Sequence, residues 1–258
     1  MMAEHVINID KEKCIGCGMC RKDCAAHNIV IENHKARVLS NDCIMCGHCA
    51  AVCPKNAVTV SGYDTEPVPM EGEVRLEPEE VLDVIRFRRT IRQFQNKKIP
   101  KEVVEQILEA GRLTHTAKNA QDVSFVVLDR KKEELEREAV RTFRKLKVFA
   151  DWFSPMARRV TIDEHFFFFR APVVIVILSE TKLNGALAAQ NMEFAAEANG
   201  LGVLFSGFFT MAANASPKIK KALEVSKGKK VVTTLVMGYP AVKYQRSAQR
   251  EKTAVKYL

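Results

Sequence analysis

Apolar positions along the chain fall into two regimes. Up to about residue 62 they come as short alternating runs, HVINID from His5, NIVIEN from Asn28 and AVTVSG from Ala57, whose every-second-residue period predicts brief half-buried strands. Beyond about residue 79 the runs lengthen and the period changes. EPEEVLDVIRFRR sets Pro78 near a glutamate-rich first turn and spaces Val81, Leu82 and Ile85 along one helical face. IPKEVVEQILEAGRL repeats the device, with Pro100 leading and Val103, Val104, Ile107 and Leu108 forming the stripe. Two more helices are predicted at 131–148 and 185–199, and a fifth from near Ser216, with Pro217 in its first turn. VSFVVLD from Val123, PVVIVILS from Pro172 and VVTTLVMG from Val231 are β-branched or aromatic runs without a helical period, and they predict buried strands. Helices covering at least three such strands predict an α/β or α+β sandwich.

Between the regimes, GYDTEPVPMEGEVRLEP from Gly62 to Pro78 carries three prolines, two glycines and six charges with no apolar period. It reads as a linker, so the expected division is a first domain over 1–62, a linker over 63–78 and a second domain over 79–258. The first residues, MMAEHVINID, have no basic patch followed by an apolar run, and the longest aliphatic stretch, Val173–Leu178, is too short to span a bilayer. The expectation is a cytoplasmic protein with no membrane partner. The formal charge of +9 is uneven: residues 1–63 hold seven Lys/Arg against six Asp/Glu and the remainder holds the excess, which reads as a plain solvated surface or a basic face for an acidic electron donor, with no nucleic acid expected. Bound anionic cofactors would lower it further.

The chain has eight cysteines, and all lie in the first regime. Cys14, Cys17, Cys20 and Cys24 read C-x2-C-x2-C-x3-C, and Cys43, Cys46, Cys49 and Cys53 repeat the spacing 29 positions later, with Pro54 closing the second copy. Disulfides would not explain identical spacing in both halves, and zinc sites pair short knuckles over longer gaps. The spacing resembles that of bacterial two-cluster ferredoxins. The resemblance implies two [4Fe–4S] clusters that exchange their fourth ligand: Cys14, Cys17, Cys20 and Cys53 on one, Cys43, Cys46, Cys49 and Cys24 on the other. Gly16, Gly18 and Gly47 suit loops that approach inorganic sulfide closely. The first copy departs from the pattern with Ala25 where proline is common.

In the second regime FRRTIRQF, Phe87–Phe94, groups Arg88, Arg89, Thr90 and Arg92, which suits a phosphate but also an ordinary basic helix end. No G-x-G-x-x-G follows a strand, which argues against a Rossmann fold. FRRTIRQF, THTAKNAQDVSFVVL from Thr114, FFFFRAPVVIVI from Phe166, ALAAQNMEFAAEANGLGVLFSGFF from Ala186 and MGYPAVKYQRSAQR from Met237 resemble, in order and spacing, the FMN-dependent nitroreductase superfamily. The resemblance covers about 79–258. It implies an α+β fold, an α/β/α sandwich whose mixed sheet is flanked by helices, and a homodimer with FMN at the interface. It further implies that Arg88, Arg89, Thr90 and Arg92 grip the FMN phosphate and ribityl chain, with Arg250 and Arg246 as further phosphate ligands. Thr116, Asn119 and Gln121 resemble the segment laid against the flavin ring by the partner protomer, and Ser206 and Gly207 the loop whose backbone meets flavin N5. Asp122 and Val123 depart from the proline and tryptophan of many relatives. In Val148–Phe169 the aromatic side chains suit either a substrate face or a buried segment, and His115 and His165 are histidines without an assigned catalytic role.

Taken together the two resemblances imply an iron–sulfur flavoprotein oxidoreductase that passes electrons from the clusters to FMN and then to a nitro, quinone or activated-alkene acceptor. Reduced ferredoxin or a similar one-electron donor is expected on the other side. The alternatives are an electron-transfer subunit that docks a larger redox enzyme and a redox sensor without turnover.

Overall fold

The computed structural model describes residues 5–258, except for the side chains of 146, 149, 150 and 156 in the helices. Residues 1–4, at the start of the expected first domain, lie outside the described residues. Two compact units result. One holds the described residues up to Arg75 together with Thr116–Ala120; the other holds Leu76–His115 and Gln121–Leu258.

The first unit follows the 29-residue repeat. β1 (Ile7–Ile9), a cysteine loop, α1 (Met19–Lys22) and β2 (Ile29–Glu32) are matched by β3 (Lys35–Val38), a second loop, α2 (His48–Ala51) and β4 (Val58–Val60). The copies exchange partners: β1 pairs antiparallel with β4, and β2 with β3. Asn33 and His34, both at positive φ, make the two-residue turn between β2 and β3, the conformation that matches strand twist. Buried Ile29, Ala36, Ala57 and Val58 form a small core with Cys14, Cys20 and Cys49. The following residues 61–77 have no helix or strand.

The second unit is built on a sheet ordered β5 (Ser124–Leu128), β6 (Val173–Ser179), β8 (Lys230–Gly238), β7 (Gly202–Phe205). Every pairing of these strands is antiparallel, and the sheet's mixed character rests on a single parallel bridge between Thr90 and Val203. β6 shows why VVIVIL is continuously apolar. Val174, Val176 and Leu178 face one core, and Ile175 and Ile177 the other, so both faces are covered.

On the first face lie α5 (Lys132–Phe153), α8 (Gly207–Ala215) and α9 (Pro217–Ala222), contributing Leu135, Ala139, Phe209, Ala213 and Ile219. On the second lie α4 (Lys101–Arg112) and α7 (Lys182–Ala198), contributing Ile107, Ala189, Met192 and Ala196. α7 approaches closely because Gly185 has no side chain; a Cβ there would lie 2.8 Å from a Val232 methyl. Ser216 caps α9, its hydroxyl accepting from the Ile219 N–H at 3.3 Å ahead of Pro217 in the first turn.

α3 (Pro78–Phe87) differs from these helices. It buries none of its residues, and Leu82, Ile85 and Phe87 are each about half exposed, so its predicted stripe faces no core of the single chain. α6 (Pro155–Arg159) is a short helix capped by the Ser154 hydroxyl. No helix among the described residues is long and apolar enough to cross a membrane.

Candidate functional site: two cysteine cavities and an arginine group

Each unit carries one site. In the first, a small cavity is lined by Cys14, Cys17, Cys20 and Cys53, and another by Cys24, Cys43, Cys46 and Cys49. Each set takes three cysteines from one copy and the last cysteine from the other. All eight sulfurs are free of disulfides. No group of three or more His, Cys, Asp or Glu among the described residues converges as for a single ion. Four thiols around an open space, without single-ion convergence, fit a cubane better than a mononuclear metal.

Local structure builds these cavities. Gly18 and Gly47, at φ 76° and 74°, precede α1 and α2 and turn the chain around the third cysteine of each copy. Gly16 has φ 69°, and a Cβ there would lie 2.2 Å from the His34 carbonyl oxygen. Only glycine fits that approach. Backbone N–H groups donate to four of the sulfurs: Ala36 to Cys14 and Ala57 to Cys53 at 3.3 Å, Asn28 to Cys24 and Met45 to Cys43 at 3.4 Å. The Ala36 N–H holds the Cys14 thiol below its usual range, whereas burial pushes the Cys49 thiol up to about 11. Iron binding has to deprotonate such a thiol.

Thr116–Ala120 belongs to this same unit. Asn119 Nδ2 donates to the carbonyl oxygens of Ile44 and Met45 at 3.1 and 2.8 Å, in the loop between Cys43 and Cys46. Thr116 is half-buried and Gln121 exposed, with φ of Gln121 at 46°.

In the second unit α3 ends in the arginine group. Arg88, Arg89 and Thr90 are half-buried and Arg92 is exposed. Arg89 and Arg92 have no ion pair among the described residues, while Arg88 Nε lies 3.0 Å from Glu193 Oε1. That contact is poorly aligned for a hydrogen bond, so the attraction is ionic. Gln190 Nε2 donates to the other oxygen of Glu193 at 2.8 Å. One turn along α7, burial and the Glu193 charge push the Glu197 carboxyl up to about 6, with Arg88 opposing them. The arginine group, left largely without carboxylate partners, fits a phosphate dianion.

A raised carboxyl favours the folded state only when it is protonated, so Glu197 costs stability above about pH 6 and the cost disappears as pH falls toward 4.5. Glu197→Gln is expected to raise unfolding stability at pH 7.5 by about 1 kcal/mol, after allowing for solvent screening, and to change it little at pH 4.5. Denaturant midpoints at the two pH values check this.

Ser206 and Gly207 stand at the start of α8. Ser206 is buried and its N–H donates to the Thr234 carbonyl at 2.8 Å, its hydroxyl to the Phe167 carbonyl at 3.1 Å. Gly207 is exposed, with open space where a Cβ would be. Arg246 and Arg250 are exposed in the irregular segment after β8.

His115 is exposed, and His165 Nδ1 lies 3.7 Å from Glu136. Glu136 is a buried structural group that accepts the N–H groups of Phe167 and Phe168 at 3.1 and 2.8 Å. Phe167 and Phe168 are core residues, whereas Trp152 and Phe153 are largely exposed.

Sequence reasoning missed Glu193, Glu197 and the role of Asp122. Asp122 accepts from Ser179 Oγ at 2.5 Å, Asn184 Nδ2 at 2.6 Å and the N–H groups of Glu180 and Thr181 at 2.9 and 3.2 Å. Burial raises its pKa, but these bonds outweigh burial and hold it at about 2. Asp122 thus fixes the start of α7. The signals were there: two acids at i, i+4 in the alanine-rich AAQNMEFAAEA, and an aspartate beside a strand.

Comparison with known proteins adds to this geometry. Residues 6–54 match a 4Fe-4S dicluster domain and residues 85–239 the nitroreductase family. An FMN-dependent nitroreductase from Clostridium difficile R20291 superposes with a TM-score of 0.57 at 18% identity, covering 70% of this chain and 100% of that one. A nitroreductase with bound FMN from Desulfitobacterium hafniense DCB-2 gives 0.58 at 19% identity, covering 69% and 98%. In sequence, the chain is 24% identical over 171 residues, 63% of its length and 78% of the relative's, to a "Putative NADH dehydrogenase/NAD(P)H nitroreductase" of Methanothermobacter thermautotrophicus. The chain belongs to the nitroreductase family, with a 4Fe–4S dicluster domain at its N-terminal side.

Proposed function

We propose that the protein is an iron–sulfur flavoprotein reductase. Electrons pass from two [4Fe–4S] clusters to FMN and from there to a nitro, quinone or activated-alkene acceptor. The clusters supply one-electron steps, and the reduced flavin supplies a hydride. Cys14, Cys17, Cys20 and Cys53 would hold one cluster, and Cys43, Cys46, Cys49 and Cys24 the other. Arg88, Arg89, Thr90 and Arg92 would hold the FMN phosphate, with Arg250 and Arg246 supplementing them, and the Gly207 N–H would face flavin N5. Thr116 and Gln121 would line the ring of the FMN held by the other protomer of the dimer. The acting form is a homodimer, which gives the bare apolar face of α3, Leu82, Ile85 and Phe87, a surface to cover it.

The observation that carries this reading is the membership of Thr116–Ala120 in the cluster-bearing unit, with Asn119 bonded to the Cys43–Cys46 loop. A segment expected against the flavin is thereby tied to a cluster ligand loop.

The test is anaerobic purification with iron, sulfide and flavin counted per chain, followed by reduction with reduced ferredoxin or with NADPH. Reduced protein is then mixed with nitroarenes, quinones and enoates. Rapid flavin reoxidation with a two-electron product supports the reading. Failure with every small acceptor sinks it. Equal flavin reduction by NADPH in a chain carrying Cys17→Ala and Cys46→Ala would show that electrons need not come through the clusters.

A further inference from the structure

We propose that Asn119 sets the reduction potential of the cluster held by Cys43, Cys46, Cys49 and Cys24, acting through the Ile44–Met45 peptide. This deepens the proposed electron route and rests on its reading of those four cysteines as ligands of one cluster.

The peptide is engaged at both ends. Its carbonyl oxygen, on Ile44, accepts from Asn119 Nδ2 at 3.1 Å, and its N–H, on Met45, donates to Cys43 Sγ at 3.4 Å. A peptide polarised at its oxygen is a stronger donor at its nitrogen, so the two bonds reinforce one another. Hydrogen bonding toward a ligating sulfur favours the reduced, more negative cluster and raises its potential. The second Asn119 contact, 2.8 Å to the Met45 carbonyl, fixes the orientation of the amide, since two carbonyl partners both require its nitrogen.

The 29-residue repeat shows why this loop needs the contact. Ile15 and Gly16 of the first copy correspond to Ile44 and Met45 of the second. Both second positions are left-handed, Gly16 at φ 69° and Met45 at φ 51°. For a residue with a Cβ this costs about 1–2 kcal/mol. The first copy meets the requirement with glycine, packed against the His34 carbonyl. The second has methionine, and its conformation is held by a side chain from more than seventy residues downstream. Lys118 and Asn119 are themselves left-handed, at φ 55° and 54°. Adjacent strained residues that deliver one amide to another strained loop are the pattern expected where backbone strain serves function. Asn119 is therefore a positioning residue, acting on the cluster through the peptide.

The test uses the full chain purified anaerobically, with Asn119→Leu, similar in size but without a donor, and Asn119→Asp, which turns acceptors toward the carbonyls. Iron, sulfide and flavin are counted, and both cluster midpoints are followed by spectroscopic redox titration. The expected result is full iron content with one midpoint shifted negative and the other unchanged. The shift should persist when Cys17→Ala has disabled the first cluster. Unchanged midpoints in both variants overturn the proposal. So does loss of iron from both, which would make the contact a clasp rather than a tuner. If the unaltered chain shows no two-cluster signal, the electron route itself fails, a result separate from any Asn119 effect.

Discussion

Replacing Cys53 together with Cys17 by alanine is expected to leave one cluster intact, while replacing Cys53 together with Cys46 removes both. Cys53 is only seven residues from Cys46, yet it lines the cavity of Cys14, Cys17 and Cys20. Two substitutions that strike one cluster overlap in effect, and two that strike different clusters add. Iron and acid-labile sulfide should fall to about four per chain in the first variant and toward zero in the second. Turnover driven by a one-electron donor should fall to background in the second. If each run of four cysteines bound its own cluster, the result would reverse, because Cys46 and Cys53 would then share one. The module's small core, Ile29, Ala36, Ala57 and Val58, makes the effect large. With so little apolar burial, metal binding contributes much of the folding free energy, and loss of both clusters should also leave the module open to proteolysis.

Strand periodicity was legible where a strand is covered on both faces or alternates cleanly. The runs PVVIVILS and VVTTLVMG became β6 and β8 because burial on both faces calls for a near-continuous apolar run, here rich in Val and Ile. β3 was not legible by composition, since KARV carries two cations. The repeat could have supplied it: a shift of 29 carries Ile7–Ile9 onto Ala36–Val38. β7 and α8, joined in GVLFSGFFTMAANA, were hidden for the opposite reason. Short apolar runs buried on several sides have no period to read, and periodicity predicts no element there.

The cysteine sites were legible because ligand spacing is local and the chemistry allows few alternatives. What could not be read was any pairing set by tertiary contact. FRRTIRQF announces arginines for an anion, but not that one of them rests on a buried acid a hundred residues away. TAKNAQ announces a polar turn, but not that Asn119 is bonded to the Cys43–Cys46 loop. α3 shows the same limit from the other side: its period was correct, but its apolar face has no cover within one chain.

Arg88 is where these two kinds of information meet. Arg88→Met is expected to cost about 3–5 kcal/mol of unfolding stability, because Glu193, 2% exposed, would be left as a buried carboxylate without its cation and with Glu197 as a like-charged neighbour. The same variant should bind FMN about ten- to a hundredfold more weakly, the usual worth of a charge-assisted phosphate contact. Adding Glu193→Gln separates the two effects. A neutral amide keeps the shape and removes the stranded charge, so the double variant should recover most of the stability, read by denaturant unfolding of flavin-free protein. It should not recover flavin affinity, read by fluorescence titration, since the phosphate still lacks its guanidinium. Recovery of both would mean that Arg88 serves only the fold and that Arg89 and Arg92 hold the phosphate. Recovery of neither would mean that the Arg88–Glu193 contact is not what the buried acid depends on, and the electrostatic account of this corner of the fold would be wrong.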